Sequence, residues 1–306
     1  MIRVFICGVI LLVALSGCSK VTVQNPTNEF AKAAPLTLLK EKRLSEVSGI
    51  AASINNPGLF WVHNDSGGEP EVYLIDKSLK IVLTCRLEGI ENRDWEDITI
   101  GPGPEAGKQY IYVGEIGDNV ARYQYKMIYR FEEPVLGEES EIKVSAFDTI
   151  VFSLEDQRKD TETLLIDPAS KALYVISKRE EPVWIYELQN PSKPADTLVA
   201  KKLFSMPLTQ IVGGDLSPDG KSILLKNYEH IYYWSSDAAK PLKEILKAEF
   251  SEVPYELEPQ GEALTWARDH SGFYTLSEKN VGKDTYFYFY ARKASGGSRT
   301  KAKPAQ

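Results

Sequence analysis

Acidic side chains recur at the start of short apolar segments spread over most of the chain. The members of this set are Glu96, Asp97, Glu162, Asp215 and Glu262. Carboxylates that are brought together repel one another unless a cation neutralises them, and calcium accepts about six to eight oxygen ligands. Asn64 and Asn119 follow neighbouring apolar segments and carry amide oxygens that suit the same ion. These residue types predict a site for a hard divalent cation, with Ca²⁺ as the best candidate.

Basic side chains follow the second apolar segment in the later part of the chain. They are Lys178, Arg179, Lys226 and Lys279. In one interpretation they bind an anionic substrate group such as phosphate or carboxylate, while the cation polarises the substrate and activates a water. In the other, they neutralise the acids in an ion-pair network that needs no metal. The sequence leaves both interpretations open.

Histidine and cysteine are too scarce near these acids to favour zinc. His63 is a candidate general base, because the imidazole pKa lies near neutrality, although a single histidine at a strand end is also a common structural residue. The chain contains no Gly-x-Ser-x-Gly elbow, no His-Glu-x-x-His motif and no phosphate-binding glycine-rich loop. The enzyme classes that depend on these motifs are therefore excluded, whereas metal-assisted hydrolysis stays open.

The acidic residues belong to a unit that recurs five times, with first strands that start at residues 48, 96, 162, 214 and 262. Each unit continues with a turn rich in Pro, Gly, Asn and Asp and then with further apolar strands. Four-stranded units that recur every ~40–55 residues predict an all-β fold, a β-propeller. Residues 35–44 could supply the strand that the fifth unit lacks and so close the ring. Five blades are expected, or six if residues 138–154 form another, and a β-sandwich is the rival fold.

The first strand of each propeller blade lines the central channel, and neighbouring strands of a blade run antiparallel. The start of each first strand and the end of each second strand therefore meet at one mouth of the channel. This geometry gathers the predicted ligands, His63 and the basic residues. It brings further polar residues to the same mouth: Glu46, Ser48, Asp65, Asp94, Glu115, Asp118, Asp160, Gln260 and Glu278.

Five short motifs are distinctive: SEVSGI at residues 45–50, WVHNDSG at 61–67, DWEDI at 94–98, GEIGDN at 114–119 and GEAL at 261–264. They resemble a group of secreted bacterial propellers that is distantly similar to the phytase-like esterase and gluconolactonase-like propellers. The resemblance covers residues 44–278. In gluconolactonase-like propellers, an acidic residue together with Asn and Asp from several blades holds a channel cation. The resemblance implies that the corresponding positions here are Glu46 or Glu96, Asn64, Asn119 and Asp215.

The N-terminus carries Arg3, an apolar run over residues 4–15 and small residues before Cys18. This pattern is typical of a secretory signal, and the run is shorter than the roughly 20 residues that span a bilayer. The LSGC sequence at residues 15–18 resembles the lipobox of bacterial lipoproteins, which implies that Cys18 carries fatty acyl chains such as palmitate. The alternative is an ordinary secretory signal with an unrelated cysteine. If Cys18 is lipidated, Cys85 has no disulfide partner in the mature chain, and we expect it to be a buried apolar residue.

These patterns divide the chain into four segments: a signal peptide at residues 1–17, a lipidated tether at 18–35, the propeller at 36–292 and a disordered basic tail at 293–306. The net charge of −7 argues against nucleic acid as a partner. The expected partners are a membrane, through the lipid on Cys18, and a small anionic ligand or an envelope protein. Ser19 rather than Asp follows the lipidated cysteine, which favours the outer membrane over the inner one.

Two classes of function follow for this propeller, both in the cell envelope. The first is a metal-dependent hydrolase that acts on a phosphoester, an ester or a lactone at the channel mouth. The second is a non-catalytic propeller that binds a ligand or a protein in a cell-envelope assembly. The fold does not decide between them, because propellers perform both kinds of function.

Overall fold

The computed structural model describes residues 26–193, 196–280 and 282–293. The predicted signal peptide, Cys18, the first part of the tether and nearly all of the basic tail lie outside the described residues. Strand β1 covers Ala34–Leu38, and a short 3-10 turn follows at Lys42–Leu44. In the described ranges, no helix has the length and apolar character needed to cross a membrane.

The first two blades follow in chain order. Blade 1 contains β2 (Val47–Ala52), β3 (Phe60–Asn64), β4 (Glu71–Ile75) and β5 (Ile81–Leu87). Blade 2 contains β6 (Trp95–Pro102), β7 (Gln109–Glu115) and β8 (Lys126–Glu132), and after β9 (Glu141–Val144) it is completed by β10 (Asp148–Leu154). The strands within each blade pair in sequence order and are antiparallel.

The last three blades repeat this pattern. Blade 3 contains β11 (Thr161–Ile166), β12 (Leu173–Ser177), β13 (Val183–Leu188) and β14 (Leu198–Met206). Blade 4 contains β15 (Gly213–Leu216), β16 (Ser222–Lys226), β17 (Ile231–Ser235) and, after the helical turn α1 (Leu242–Ile245), β18 (Ser251–Val253). Blade 5 contains β19 (Gly261–Trp266), β20 (Gly272–Ser277) and β21 (Tyr286–Ala291), and β1 pairs with β21 as its outer strand.

The inner strands form a closed ring, in which each contacts the inner strand of the next blade in the order β2, β6, β11, β15, β19 and back to β2. The predicted five-bladed propeller, with a ring closed by an N-terminal strand, is thereby confirmed. The segment that raised the possibility of a sixth blade is divided between two existing blades. Its residues form β9, which pairs parallel to β5, and β10, which pairs with β8 and also parallel to β14.

The local sequence explains the strands and turns. In blade 3, β12 and β13 consist mainly of β-branched, aromatic and leucine residues, which fit a buried pleated sheet. The turn between the first two strands of blade 4 contains Pro218 and Gly220, whose φ of 68° suits glycine. Ser217 donates its hydroxyl to Asp219 in the same turn at 2.6 Å. These side-chain contacts end one strand and start the next.

The hydrophobic core of the described residues is divided into clusters that lie between neighbouring blades. Leu165 and Tyr174 of blade 3, for example, pack with Ile223 and Trp234 of blade 4. Free Cys85 is fully buried in the cluster between blades 1 and 2, and burial raises the pKa of its thiol to about 12. Because each blade buries both faces, the ring as a whole determines which polar residues remain at its mouths.

The folded part of the chain begins before residue 36, where the sequence placed the start of the propeller. Phe30 is buried against Tyr233, Trp266 and Phe273, and so bridges blades 4 and 5. The Ala31 amide donates to the Ala291 carbonyl at 2.8 Å. The second half of the predicted tether therefore packs on the propeller.

Candidate functional site

The inner strands of four blades carry a β-bulge at the same position, close to their first residue. The residues at the four bulges are Ser48, Glu96, Glu162 and Glu262. A bulge redirects the side chain of the extra residue and interrupts pairing locally. Blade 4 has no bulge there, because Gly213 pairs directly with Lys226. Three blades thus direct a glutamate into the channel at one level.

The three glutamates line an open cavity of about 470 Å³ at this mouth of the channel. Its other walls come from the loops that follow the second strands and precede the first strands. The remaining lining residues are Asp65, Asn119, Lys178, Arg179, Gln210, Tyr228, Pro259 and Gln260. The lining is dominated by charged and amide groups, so the cavity suits a polar ligand or an ion. We call it the mouth cavity.

Two groups of three carboxylates meet at the mouth cavity. Oxygens of Asp65, Asp94 and Glu96 lie within 4.8 Å of one another, and so do oxygens of Glu96, Asp160 and Glu162. Asp94 and Asp160 each stand two residues before a bulged glutamate, and Asp65 follows β3. Oxygen ligands at such separations fit a hard divalent cation.

Burial and mutual repulsion make these carboxylates hard to ionise when no cation is present. Burial, reinforced by Glu162, Asp65 and Asp94, raises the pKa of Glu96 well above its usual range. Burial together with Asp65 and Asp160 raises the pKa of Asp94 to about 6. Glu278 adjoins the two groups, and burial together with the neighbouring Glu262 and Asp65 raises its pKa to about 8. A bound cation would remove this penalty, because it favours the ionised carboxylates.

Two cations contact the acidic residues. Lys178 is nearly buried, its Nζ lies 2.6 Å from Glu162 Oε1, and it faces the Tyr228 ring at 5.3 Å. Arg179 has 43% of its side chain exposed, and its Nε lies 2.6 Å from Asp160 Oδ2. Its Nη2 donates to Asn119 Oδ1. Of the two, Arg179 has the more exposed side chain.

Glu262 occupies the far wall of the mouth cavity. The Tyr228 hydroxyl donates to its Oε1 at 2.7 Å. Its Oε2 is buried and has no hydrogen-bond partner among the described residues. Such an oxygen carries a desolvation cost unless a ligand or water meets it.

Asp97 and Asp215, which the sequence placed in the cation site, instead accept hydrogen bonds from the neighbouring inner strands. Asp97 accepts the backbone amides of Ile98 and Leu164 at 2.8 and 2.9 Å, and so links β6 to β11. Asp215 accepts the Trp266 amide at 2.9 Å and links β15 to β19 near the opposite mouth. Both carboxylates hold neighbouring inner strands together, and neither lines the mouth cavity.

His63 and Asn64 also lie outside the mouth cavity. The His63 ring is fully buried and packs edge-on against Trp95, with centroids 5.6 Å apart. Burial lowers the pKa of its imidazole to about 4, so the ring is neutral at physiological pH. Asn64 donates its amide to the Arg43 carbonyl at 2.6 Å. The structure therefore places neither side chain where the sequence predicted it.

Lys226 and Lys279, two of the four predicted anion-binding residues, do not line the mouth cavity either. Lys226 is fully buried, with its Nζ 3.0 Å from Glu258 Oε2 and 4.8 Å from the Tyr255 ring. Lys279 is exposed, and its backbone amide donates to the Ser45 carbonyl at 2.7 Å. Only Lys178 and Arg179 of the predicted set reach the acidic groups.

The predicted ligand set omitted Asp65, Asp94 and Asp160, although the sequence placed them at the correct mouth. A signal existed for two of them, because Asp94-x-Glu96 and Asp160-x-Glu162 repeat one spacing at equivalent strand starts. Tyr228 stands in a loop with no such repeat. Its position beside Lys178 and Glu262 depends on the packing of separate blades.

The fold and the site define the class of this chain: it is a five-bladed β-propeller with an acidic cavity at one channel mouth. No family model and no curated protein matches the chain. Two solved structures similar in fold are the Neurospora crassa Pan2 WD40 domain (11% identity, TM-score 0.45, 89% of this chain and 99% of that one) and the PQQ-bound aldose sugar dehydrogenase of Streptomyces coelicolor (10% identity, TM-score 0.47, 88% and 100%).

Proposed function

We propose that the mouth cavity binds a divalent cation and that the protein is a metal-dependent hydrolase of an anionic phosphoester, ester or lactone. The observation that carries this proposal is the meeting of five carboxylates from three segments of the chain, with Glu96 common to both groups of three. Their oxygens offer the ligand chemistry that calcium prefers. Histidine and cysteine are absent from the lining residues, which disfavours zinc.

The chemistry follows from the charges at the mouth cavity. A cation held there would polarise a substrate oxygen and lower the pKa of a bound water. Arg179 lies beside the same carboxylates, lines the cavity and has a partly exposed side chain, so it is suited to hold the anionic group of the substrate. Lys178 pairs with Glu162 and favours the ionised form of that carboxylate. His63 has no part in this reaction, because it does not reach the cavity.

Hydrolysis assays with and without calcium test this function. We expect calcium-dependent turnover of at least one substrate among aryl phosphates, phosphodiesters, aryl esters and aldonolactones. Glu96→Gln should lower kcat/KM at least about 100-fold, because the shared carboxylate is lost. Glu105→Gln changes an exposed glutamate away from the cavity and should leave the rate unchanged. Turnover that persists in chelator and in Glu96→Gln would exclude a metal-dependent hydrolase.

A non-catalytic ligand-binding propeller is the second candidate. It is favoured by the pairing of Lys178 with Glu162 and of Arg179 with Asp160, which neutralises part of the cluster without a metal. It is also consistent with the absence of serine, cysteine and histidine from the lining residues of the mouth cavity. Calcium binding without turnover of any of the four substrate classes would favour this candidate.

The proposed location is the bacterial cell envelope, with a lipid on Cys18 as the anchor and the outer membrane as the more suitable bilayer. It is supported by the signal-like residues 1–17 and the LSGC sequence. Replacing Cys18 with Ser should move the protein from the membrane fraction to the soluble fraction, because several acyl chains are lost together. Immunoblots of the two fractions measure this. A Cys18→Ser variant that stays with the membranes would contradict lipid anchoring.

A further inference from the structure

The two carboxylate groups at the mouth cavity share one residue. Glu96 belongs to one group with Asp65 and Asp94 and to the other with Asp160 and Glu162. A carboxylate has two oxygens, so a residue common to two ligand groups can contact one ion with each. In two-metal sites the ions are about 3.5–4 Å apart and are commonly held in this way. The arrangement therefore offers two half-sites that share Glu96.

Carboxylates outnumber basic groups around the mouth cavity. The acidic residues there are Asp65, Asp94, Glu96, Asp160, Glu162, Glu262 and Glu278. Lys178 and Arg179 pair with two of them, and Lys126, which donates to the Ile116 carbonyl, lies near Asp160 and Glu96. The excess of negative charge in this cluster favours the binding of divalent cations.

Glu262 gives an independent indication that the cavity holds a ligand. It belongs to neither carboxylate group, is 3% exposed, and its Oε2 has no partner in the described part of the chain. Glu262 lines the same cavity as Glu96 and Glu162. A buried carboxylate oxygen without a donor carries a desolvation cost, which a neighbouring cation or its bound water would remove.

The loop that follows β7 passes close to these carboxylates at Gly117. A Cβ at Gly117 would overlap Glu96 Oε1 and would also meet the Asp94 carboxylate. The Gly117 amide donates to the Asp94 carbonyl at 3.2 Å. The GEIGDN motif thus covers one side of the cluster with backbone and limits solvent access to Glu96.

We propose that the mouth cavity binds two divalent cations, with Glu96 as the bridging ligand between an Asp65–Asp94 half-site and an Asp160–Glu162 half-site. This inference rests on the proposed function, since it assumes that the cavity is a cation site. In such a pair, one ion can bind the anionic substrate group while the other supplies the water. Arg179 beside Asp160 places the substrate group on the Asp160–Glu162 side.

Isothermal titration of calcium chloride into full-length protein, after removal of metal by chelator and dialysis, tests the pair. We expect two ions per chain in the natural protein and one ion in Asp65→Asn and in Glu162→Gln. Glu96→Gln should weaken both binding events at least about tenfold, because it contributes to both half-sites. Glu105→Gln, an exposed control, should still bind two ions.

The outcomes separate this inference from the proposed function. One ion in the natural protein, or one ion retained when Asp65→Asn and Glu162→Gln are combined, would overturn the bridged pair and leave a single-cation site intact. No ion would overturn both. Circular dichroism and melting in chelator establish that each variant is folded; the amide side chains relieve repulsion and preserve shape. Electron paramagnetic resonance with Mn²⁺ gives a second measurement, with coupled ions expected in the natural protein and isolated ions in Asp65→Asn.

Discussion

Glu133→Ala is expected to lower the free energy of unfolding by about 3–5 kcal/mol, because it leaves several buried donors unpaired. Glu133 lies just after β8 and is 2% exposed. Its carboxylate accepts the Trp61 indole N–H at 2.9 Å. It also accepts the hydroxyl of Ser53 and the backbone amides of Ile54 and Asn55. The Glu133 carboxylate of blade 2 therefore accepts hydrogen bonds from the turn between β2 and β3 of blade 1.

Chemical denaturation followed by tryptophan fluorescence measures this change. Glu132→Ala is the matched control, because Glu132 is the preceding residue, is 53% exposed, and pairs only with the exposed Lys108 at 2.8 Å. Exposed ion pairs contribute about 0–1 kcal/mol, so we expect the control to remain close to the natural protein. Equal losses in the two variants would show that the buried hydrogen bonds of Glu133 do not stabilise the junction between the blades.

Calcium is expected to raise the melting temperature by about 10 °C at pH 8 and by clearly less at pH 5. A ligand at about a thousandfold above its Kd contributes roughly 4 kcal/mol, and each kcal/mol shifts the melting temperature of a large domain by about 2–4 °C. Burial and repulsion raise the pKa of Asp94 to about 6 and of Glu278 to about 8. Protons therefore compete with calcium for this cluster at pH 5 and much less at pH 8.

The stability of the metal-free protein should fall as the pH rises, whereas the stabilisation by calcium should increase with pH. The pKa values of Asp94 and Glu278 are higher in the folded state, so the folded protein binds more protons than the unfolded chain between about pH 4 and 8. The contribution of these groups is favourable below their unfolded-state pKa values and is lost as the pH rises through 6 and 8. Differential scanning calorimetry in chelator and in calcium across this range measures both trends.

Glu96→Gln and Glu105→Gln give the controls for the calcium effect. The first removes the carboxylate shared by both groups, so the calcium-induced shift in melting temperature should become clearly smaller. The second changes a glutamate that is 63% exposed at a distant turn, so the full shift should remain. An unchanged shift in Glu96→Gln would show that the ion binds elsewhere on the propeller.

The sequence alone predicted the repeated strands, the five blades, the ring closure by an N-terminal strand, and the channel mouth at which polar residues gather. These features depend on strand composition, turn residues and a period of about fifty residues, all of which are local properties. The bulged Glu96, Glu162 and Glu262 were also found from sequence, because they repeat at equivalent strand starts.

Only the tertiary structure decided which of the neighbouring polar residues enter the mouth cavity. Glu96 and Asp97 are adjacent, yet the bulge directs Glu96 into the channel while Asp97 binds the Leu164 amide of the next blade. His63 stands at a strand end that faces the cavity, but its ring is packed against Trp95. Side-chain direction at a bulge and contacts between blades are set by the closed ring of inner strands, so a local repeat could predict the mouth but not its ligands.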